Sequence, residues 1–283
     1  MTRLCLRVEK GGHVSFFQGK RVLITGGSSG IGLAAAQQLN AQGAELILVA
    51  RDVGKLREAK DSLLSSPGGS GVAVELLPFD LADKSALVEA VRSLDGPVDI
   101  LINNAGITRP GNFLELPEDC FESMMRVNYL GAVELTRLLL PPMIEKKQGS
   151  VAFVSSLLGL MGIWGYTAYA ASKFAVRGFA ECLRSELKPH NVSVTVCYPP
   201  DTDTPQHEGE KPFLPPETVA QAGTAGLLTA DYVAECLLAG IADRRFEVIP
   251  GLQAKFAATM NRLAPGLVHS VLDWDARKAQ QTP

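Results

Sequence analysis

Short apolar runs alternate with longer amphipathic stretches along most of the chain. Arg21–Thr25 (RVLIT) is a strand-like run that ends in a glycine-rich turn, and Ile31–Gln42 follows with helical spacing. Glu45–Ala50, Val72–Phe79, Val98–Ile102, Ser150–Ser155, Val192–Tyr198 and Phe246–Ile249 read as further strands. Asp52–Leu64, Lys84–Leu94, Glu118–Lys146, Tyr166–Pro189 and Asp231–Ala242 read as helices, and Pro67–Gly71 as a turn. Strands nearly continuous in Val, Ile and Leu are buried on both faces, as in a parallel sheet covered by helices. The pattern predicts one doubly wound α/β domain with a mainly parallel sheet of six to seven strands.

Two regions break the alternation. Pro199–Gly226 is proline-rich and has no clear period. A long irregular segment after a strand's carboxyl end is expected to act as a lid, here residues 199–229. Beyond Gly251, Leu252, Phe256, Met260 and Leu263 recur at helical spacing, as do Leu267, Val271 and Leu272 after Pro265-Gly266. The expected organisation is a short leader (1–18), one domain (19–250) and an amphipathic extension (251–283).

Composition narrows the function classes. With 283 residues, 46% hydrophobic and 20% charged, the chain can bury a large core. A net charge of −3 gives no basic surface for nucleic acid. No apolar run reaches the length of a spanning helix, and the N-terminus does not read as a signal peptide. The five cysteines lack a Cys-x-x-Cys spacing and suit a reducing cytoplasm. The histidines show no metal-ligand spacing, so no metal is expected. The tail is expected to pack on the domain or a subunit partner, with peripheral membrane contact as its alternative role. A homo-oligomer, dimer or tetramer, is expected.

The candidate chemistry starts at Thr25-Gly26-Gly27-Ser28-Ser29-Gly30-Ile31-Gly32, between the first strand and the first helix. Gly26 suits a backbone conformation closed to other residues, and Gly30 and Gly32 permit a close approach of the chain. Gly26, Ser28, Ser29, Gly30 and Ile31 then present a helix N-terminus to a pyrophosphate, as in a Rossmann-type fold. Leu33 after Gly32 excludes a P-loop, which needs Gly-Lys-Ser/Thr. Gly26–Gly30 also fits the G-x-S-x-G of an α/β-hydrolase, with Ser28 as nucleophile and His207 or His269 as base. No oxyanion-hole segment accompanies it. Arg51 follows the second strand, where an NAD enzyme usually places a carboxylate. Its planar fork suits a 2′-phosphate, and Lys55 adds a charge four residues on, so NADP(H) is the expected cofactor.

Tyr169 and Lys173 lie four residues apart on a predicted helix, hence on one face. A cation beside a phenol stabilises the phenolate and brings its pKa toward neutrality. Ser156 stands just past the fifth strand and can reach the same cleft, and the neighbouring Ser155 is its alternative, which sequence does not fully separate from it.

Residues 20 to about 205 resemble the short-chain dehydrogenase/reductase family. Thr25–Gly32, Asn103-Asn104-Ala105-Gly106, Asn128, Ser156 and Tyr169-x-x-x-Lys173 carry the resemblance. It implies a proton donor at Tyr169, a polarising hydroxyl at Ser156 and a ribose-binding, pKa-lowering cation at Lys173. It implies a water held by Asn128, Asp80 near the adenine, and Leu81, Asn104, Ala105, Gly106, Pro199 and Thr202 along the cofactor. Within the family, Val49-Ala50-Arg51, Tyr166–Tyr169 and Tyr198–Pro205 are similar to the NADPH-dependent 3-ketodihydrosphingosine reductase group. The implied activity is reduction of a small-molecule or lipid ketone to its alcohol. Another 3-keto lipid, a 3-ketoacyl thioester or a small ketone are alternative substrates. A non-catalytic NADP(H)-sensing protein is the non-enzymatic alternative.

Overall fold

Apolar residues at successive strand positions point to opposite faces, and each face has its own core. In a computed structural model that describes residues 15–66, 71–222 and 226–281, the central strands are buried on both sides. The elements in chain order are β1 (Arg21–Thr25), α1 (Gly30–Ala41), β2 (Glu45–Ala50), α2 (Val53–Ser65), β3 (Val74–Pro78), α3 (Lys84–Arg92) and β4 (Ile100–Asn103). Next come α4 (Cys120–Met125), α5 (Gly131–Glu145), β5 (Gly149–Val154), α6 (Thr167–Leu187) and β6 (Val192–Cys197). β7 (Thr202–Asp203), α7 (Pro205–Glu210), α8 (Pro216–Ala222), β8 (Leu228–Thr229), α9 (Ala230–Ala242), β9 (Glu247–Val248), α10 (Leu252–Leu263) and α11 (Pro265–Gln280) complete the chain.

The main sheet has seven parallel strands in the order β3-β2-β1-β4-β5-β6-β9. Leu23, Val49, Val151, Phe153 and Val196 face α3, α5 and α6. Val22, Ile24, Leu48, Ile102 and Val154 face α1, α2 and α9. The order of strand addition reverses between β1 and β4, and ligands of such sheets bind at the strand ends there.

Three expectations change. Glu118–Lys146 is not one α-helix: a π-helical turn, Arg126–Leu130, separates α4 from α5 and carries Asn128. The last strand is only Glu247–Val248. The segment expected to be an irregular lid holds β7, α7, α8 and β8. Its prolines open helices: Pro205 and Pro216 are the first residues of α7 and α8, where a missing N–H costs nothing.

Most of the expected leader and most of the Pro67–Gly71 turn lie outside the described residues. Ser15–Gln18 do not: Phe17 is buried in the α1–α2 core, and Ser15 donates to Gln42. The tail packs on the domain. Ala254 and Ala258 enter the core under α10, and Gln221 on α8 donates to the Leu272 carbonyl of α11. No helix among the described residues is long and apolar enough to cross a membrane.

Candidate active site

The turn after β1 is held by the turn after β4. Thr25 Oγ1 accepts the backbone N–H groups of Asn104 and Ala105, both at 3.0 Å. The Asn104 amide donates back to the carbonyls of Thr25 and Gly26. Gly26 has φ +66°, and a Cβ there would lie 2.9 Å from Asn104 Nδ2. A Cβ on Gly32 would lie 2.3 Å from the Gly26 carbonyl oxygen, so only glycine lets α1 start so close to the strand end.

A cavity of about 1010 Å³ opens at these strand ends. Gly26, Ser28, Ser29, Gly30 and Ile31 line it, with Arg51, Lys55, Asp80 and Leu81 beyond β2 and β3. Asn104, Ala105, Gly106, Pro199 and Thr202 line it as well, as do Ser156, Tyr169 and Lys173. Arg51 forms an ion pair with Asp80 at 3.6 Å, with Arg51 exposed and Asp80 half-buried. Arg51 is not on the helix with Lys55, because Asp52 caps α2 by accepting the Lys55 N–H. The four-residue helical spacing therefore does not bring these two cations together. Their shared cavity wall does.

The two serine candidates separate cleanly. Ser155 is buried, and its hydroxyl donates to the Lys173 carbonyl at 3.1 Å. Ser156 lines the cavity, accepts the Leu158 N–H, and hydrogen-bonds the Tyr169 phenol. Lys173 Nζ donates to the Val154 carbonyl at 3.0 Å and lies 5.5 Å from the centre of the Tyr169 ring. Burial lowers the Lys173 pKa to about 8.

Tyr169 runs against expectation. Its pKa is raised, first by burial and then by the charge of Glu210, with Asp201 adding to both. The hydrogen bond from Ser156 opposes this. The phenol is thus held protonated, because a buried phenolate beside two carboxylates is costly.

Asn128 is not on the cavity wall. Its amide donates to the Ile107 carbonyl and the Ser172 hydroxyl, and its Oδ1 accepts the Ile107 N–H. Both amide protons are used, so a water on Asn128 would need its one remaining oxygen lone pair. The amide lies beside the lysine all the same. A Cβ on Gly106 would sit 3.3 Å from both Asn128 Oδ1 and Lys173 Nζ.

No hydrogen bond joins Ser28 to a histidine among the described residues, and His269 does not line the cavity, so the nucleophile-elbow reading has no geometry behind it. Residues 20–213 match the family described as short chain dehydrogenase. The chain belongs to the short-chain dehydrogenase/reductase family. Among curated members, it is 43% identical to the 3-dehydrosphinganine reductase of Danio rerio over 224 residues, 78% of this chain and 68% of that protein. It is 35% identical to dehydrogenase/reductase SDR family member 7B of Bos taurus over 273 residues, 92% of this chain and 82% of that protein. Among solved structures, a short-chain dehydrogenase from Sphingobium yanoikuyae in complex with NADPH superposes with a TM-score of 0.74 at 28% identity. That match covers 88% of this chain and 95% of the other.

Family membership leaves parts of this cavity unexplained. Tyr166 is buried, and its hydroxyl donates to Glu210 Oε2 at 2.6 Å. Leu252, Phe256, Met260, Leu267, Val271 and Leu272 of the tail line the same cavity. The helical spacing of these tail residues was visible in the sequence, but their destination was not. Glu210 gave no signal, since α7 is too short to show a period.

Proposed function

We propose that the protein reduces 3-ketodihydrosphingosine to dihydrosphingosine with NADPH. The observation that carries the reading is the Ser156–Tyr169–Lys173 group, opening on a cavity that apolar side chains of α10 and α11 also line. The identity to the Danio rerio reductase and the NADPH of the Sphingobium neighbour support substrate and cofactor.

The residues fit that cofactor. A bare glycine backbone precedes the N-terminus of α1, and Arg51 and Lys55 supply cations on the adjoining wall for a 2′-phosphate. When bound, NADPH supplies the hydride to the carbonyl carbon. Tyr169, held protonated, gives its phenolic proton to the carbonyl oxygen as that oxygen gains charge. Ser156 hydrogen-bonds the phenol and offers a second contact to the same oxygen. Lys173, fixed by Val154, places a cation under the phenol as it loses its proton. Asn128 and Ser172 brace the helix that carries both residues, since Ser172 also donates to the Tyr169 carbonyl.

The test is a panel of 3-ketodihydrosphingosine, a 3-ketoacyl thioester and a small ketone, each with NADPH and NADH. Preference for the small ketone overturns the lipid reading, and tight NADPH binding without turnover on any carbonyl revives the sensor. The reading also includes a cytoplasmic homo-oligomer that touches membranes through its tail. No disulfide joins the described cysteines, and Leu263 of α10, outside the cavity lining, stands exposed. Sedimentation and vesicle flotation measure these two properties.

A further inference from the structure

Along α10 and α11 the cavity is mainly apolar, with Gln253 and Asp275 as the polar side chains of that wall, and it turns acidic beside the reacting centre. Glu210 and Asp201 both line it there, and both act on Tyr169. Glu210 is fixed by the Tyr166 hydroxyl at 2.6 Å, and the Tyr166 and Tyr169 rings are neighbours with centroids 5.8 Å apart. Among the described residues, no lysine or arginine forms an ion pair with either carboxylate. The nearby cations are engaged elsewhere: Lys211 pairs with Glu208, and Arg109 stacks on Phe213. Among the described residues, His207 is the basic side chain that neighbours both. Burial raises the pKa of each carboxyl, the expected cost of ionising a group enclosed by protein.

Two under-neutralised carboxylates beside a catalytic phenol suit a substrate that brings its own positive charge. The phenol fixes where the carbonyl must lie. A charge on the adjacent carbon would then meet Glu210 and Asp201, while an alkyl chain runs along α10 and α11. We infer that Glu210 and Asp201 form a subsite for a substrate ammonium group, so that the enzyme selects long-chain 2-amino ketones over neutral ones. This rests on the proposed reductase activity and adds to it the group that is recognised. Binding also relieves the repulsion that keeps Tyr169 protonated, so the phenol gives up its proton more readily once the correct substrate is in place.

The experiment compares kcat/KM for 3-ketodihydrosphingosine and for the same ketone without its amino group, at saturating NADPH. It uses the wild type, Glu210→Gln and Asp201→Asn. Calorimetric binding of dihydrosphingosine and its deaminated analogue gives a second readout. A charge-assisted hydrogen bond predicts a wild-type preference for the amine of roughly tenfold to a hundredfold. Glu210→Gln is expected to remove most of that ratio through KM, and Asp201→Asn a smaller part. Equal use of both ketones by the wild type overturns the subsite and leaves the reductase reading standing. So does an equal loss on both ketones in Glu210→Gln. Turnover of a small ketone with neither long-chain compound reduced overturns both. The wild-type ratio needs no variant, so a folding defect in Glu210→Gln does not shield the proposal.

Discussion

Ser155 donates its hydroxyl proton to the main-chain carbonyl of Lys173, 3.1 Å away, and ties the end of β5 to α6. Ser156, next in an extended backbone, points to the opposite side and reaches Tyr169. The two hydroxyls therefore do different work. Ser156→Ala is expected to lower kcat about a hundredfold with little change in melting temperature. Ser155→Ala removes a second hydrogen bond to a carbonyl that keeps its partner within α6, and is expected to cost about 0.5–1.5 kcal/mol of stability, with kcat within a few-fold of wild type. Steady-state kinetics beside calorimetric melting separates them, and the opposite pattern would exchange the assignments.

Tyr169→Phe keeps the ring and removes the donor. Turnover is expected to fall by roughly 10²- to 10⁴-fold, while NADPH binding, followed by nucleotide fluorescence, is retained. Near wild-type turnover would remove Tyr169 from the mechanism.

Lys173 is buried, with its pKa lowered from 10.5 to about 8. Reduction should weaken as pH rises through about 8, because the cation beneath the phenol is lost. The sign for stability is the reverse. The folded state binds this proton less tightly than the unfolded one, so Lys173 adds stability as pH climbs from about 8 toward 10.5 and adds none below. At pH 7 the buried cation costs roughly 3 kcal/mol, partly offset by its bond to Val154. Lys173→Met should therefore melt a few degrees higher while losing activity. A lower melting temperature would show that the ammonium stabilises the fold.

Arg51 meets Asp80 across the ends of β2 and β3 with most of its guanidinium exposed. Arg51→Ala is expected to raise KM for NADPH roughly tenfold to a hundredfold and to leave NADH nearly unaffected. A parallel loss on both nucleotides would mean that the side chain does not read the 2′-phosphate.

Legibility followed the length of each element. The strands and the long helices α1, α5 and α6 repeat often enough to show their period, and the glycine turn and the Tyr169–Lys173 spacing are local. Glu210, Tyr166 and the tail reach the cavity only through tertiary packing, with α7 and α8 too short for periodicity. The π turn at Asn128 stayed hidden because it adds no polar break to an amphipathic run. The direction of the Tyr169 shift was missed for a related reason: its neighbours in space are carboxylates from a segment more than thirty residues later.

Gly30 opens α1 with φ +52°, and a Cβ there would come 3.1 Å from the Thr204 methyl, the residue that caps α7. The turn assigned to the nucleotide phosphates thus lies directly beneath the segment that leads to Glu210. Nucleotide seated in that turn would press on this segment before any ketone arrives. Catalysis should follow a compulsory sequence, with nucleotide entering first and leaving last. Product-inhibition patterns would show the oxidised nucleotide competing with NADPH alone, whereas a random sequence would mean that the two segments move independently.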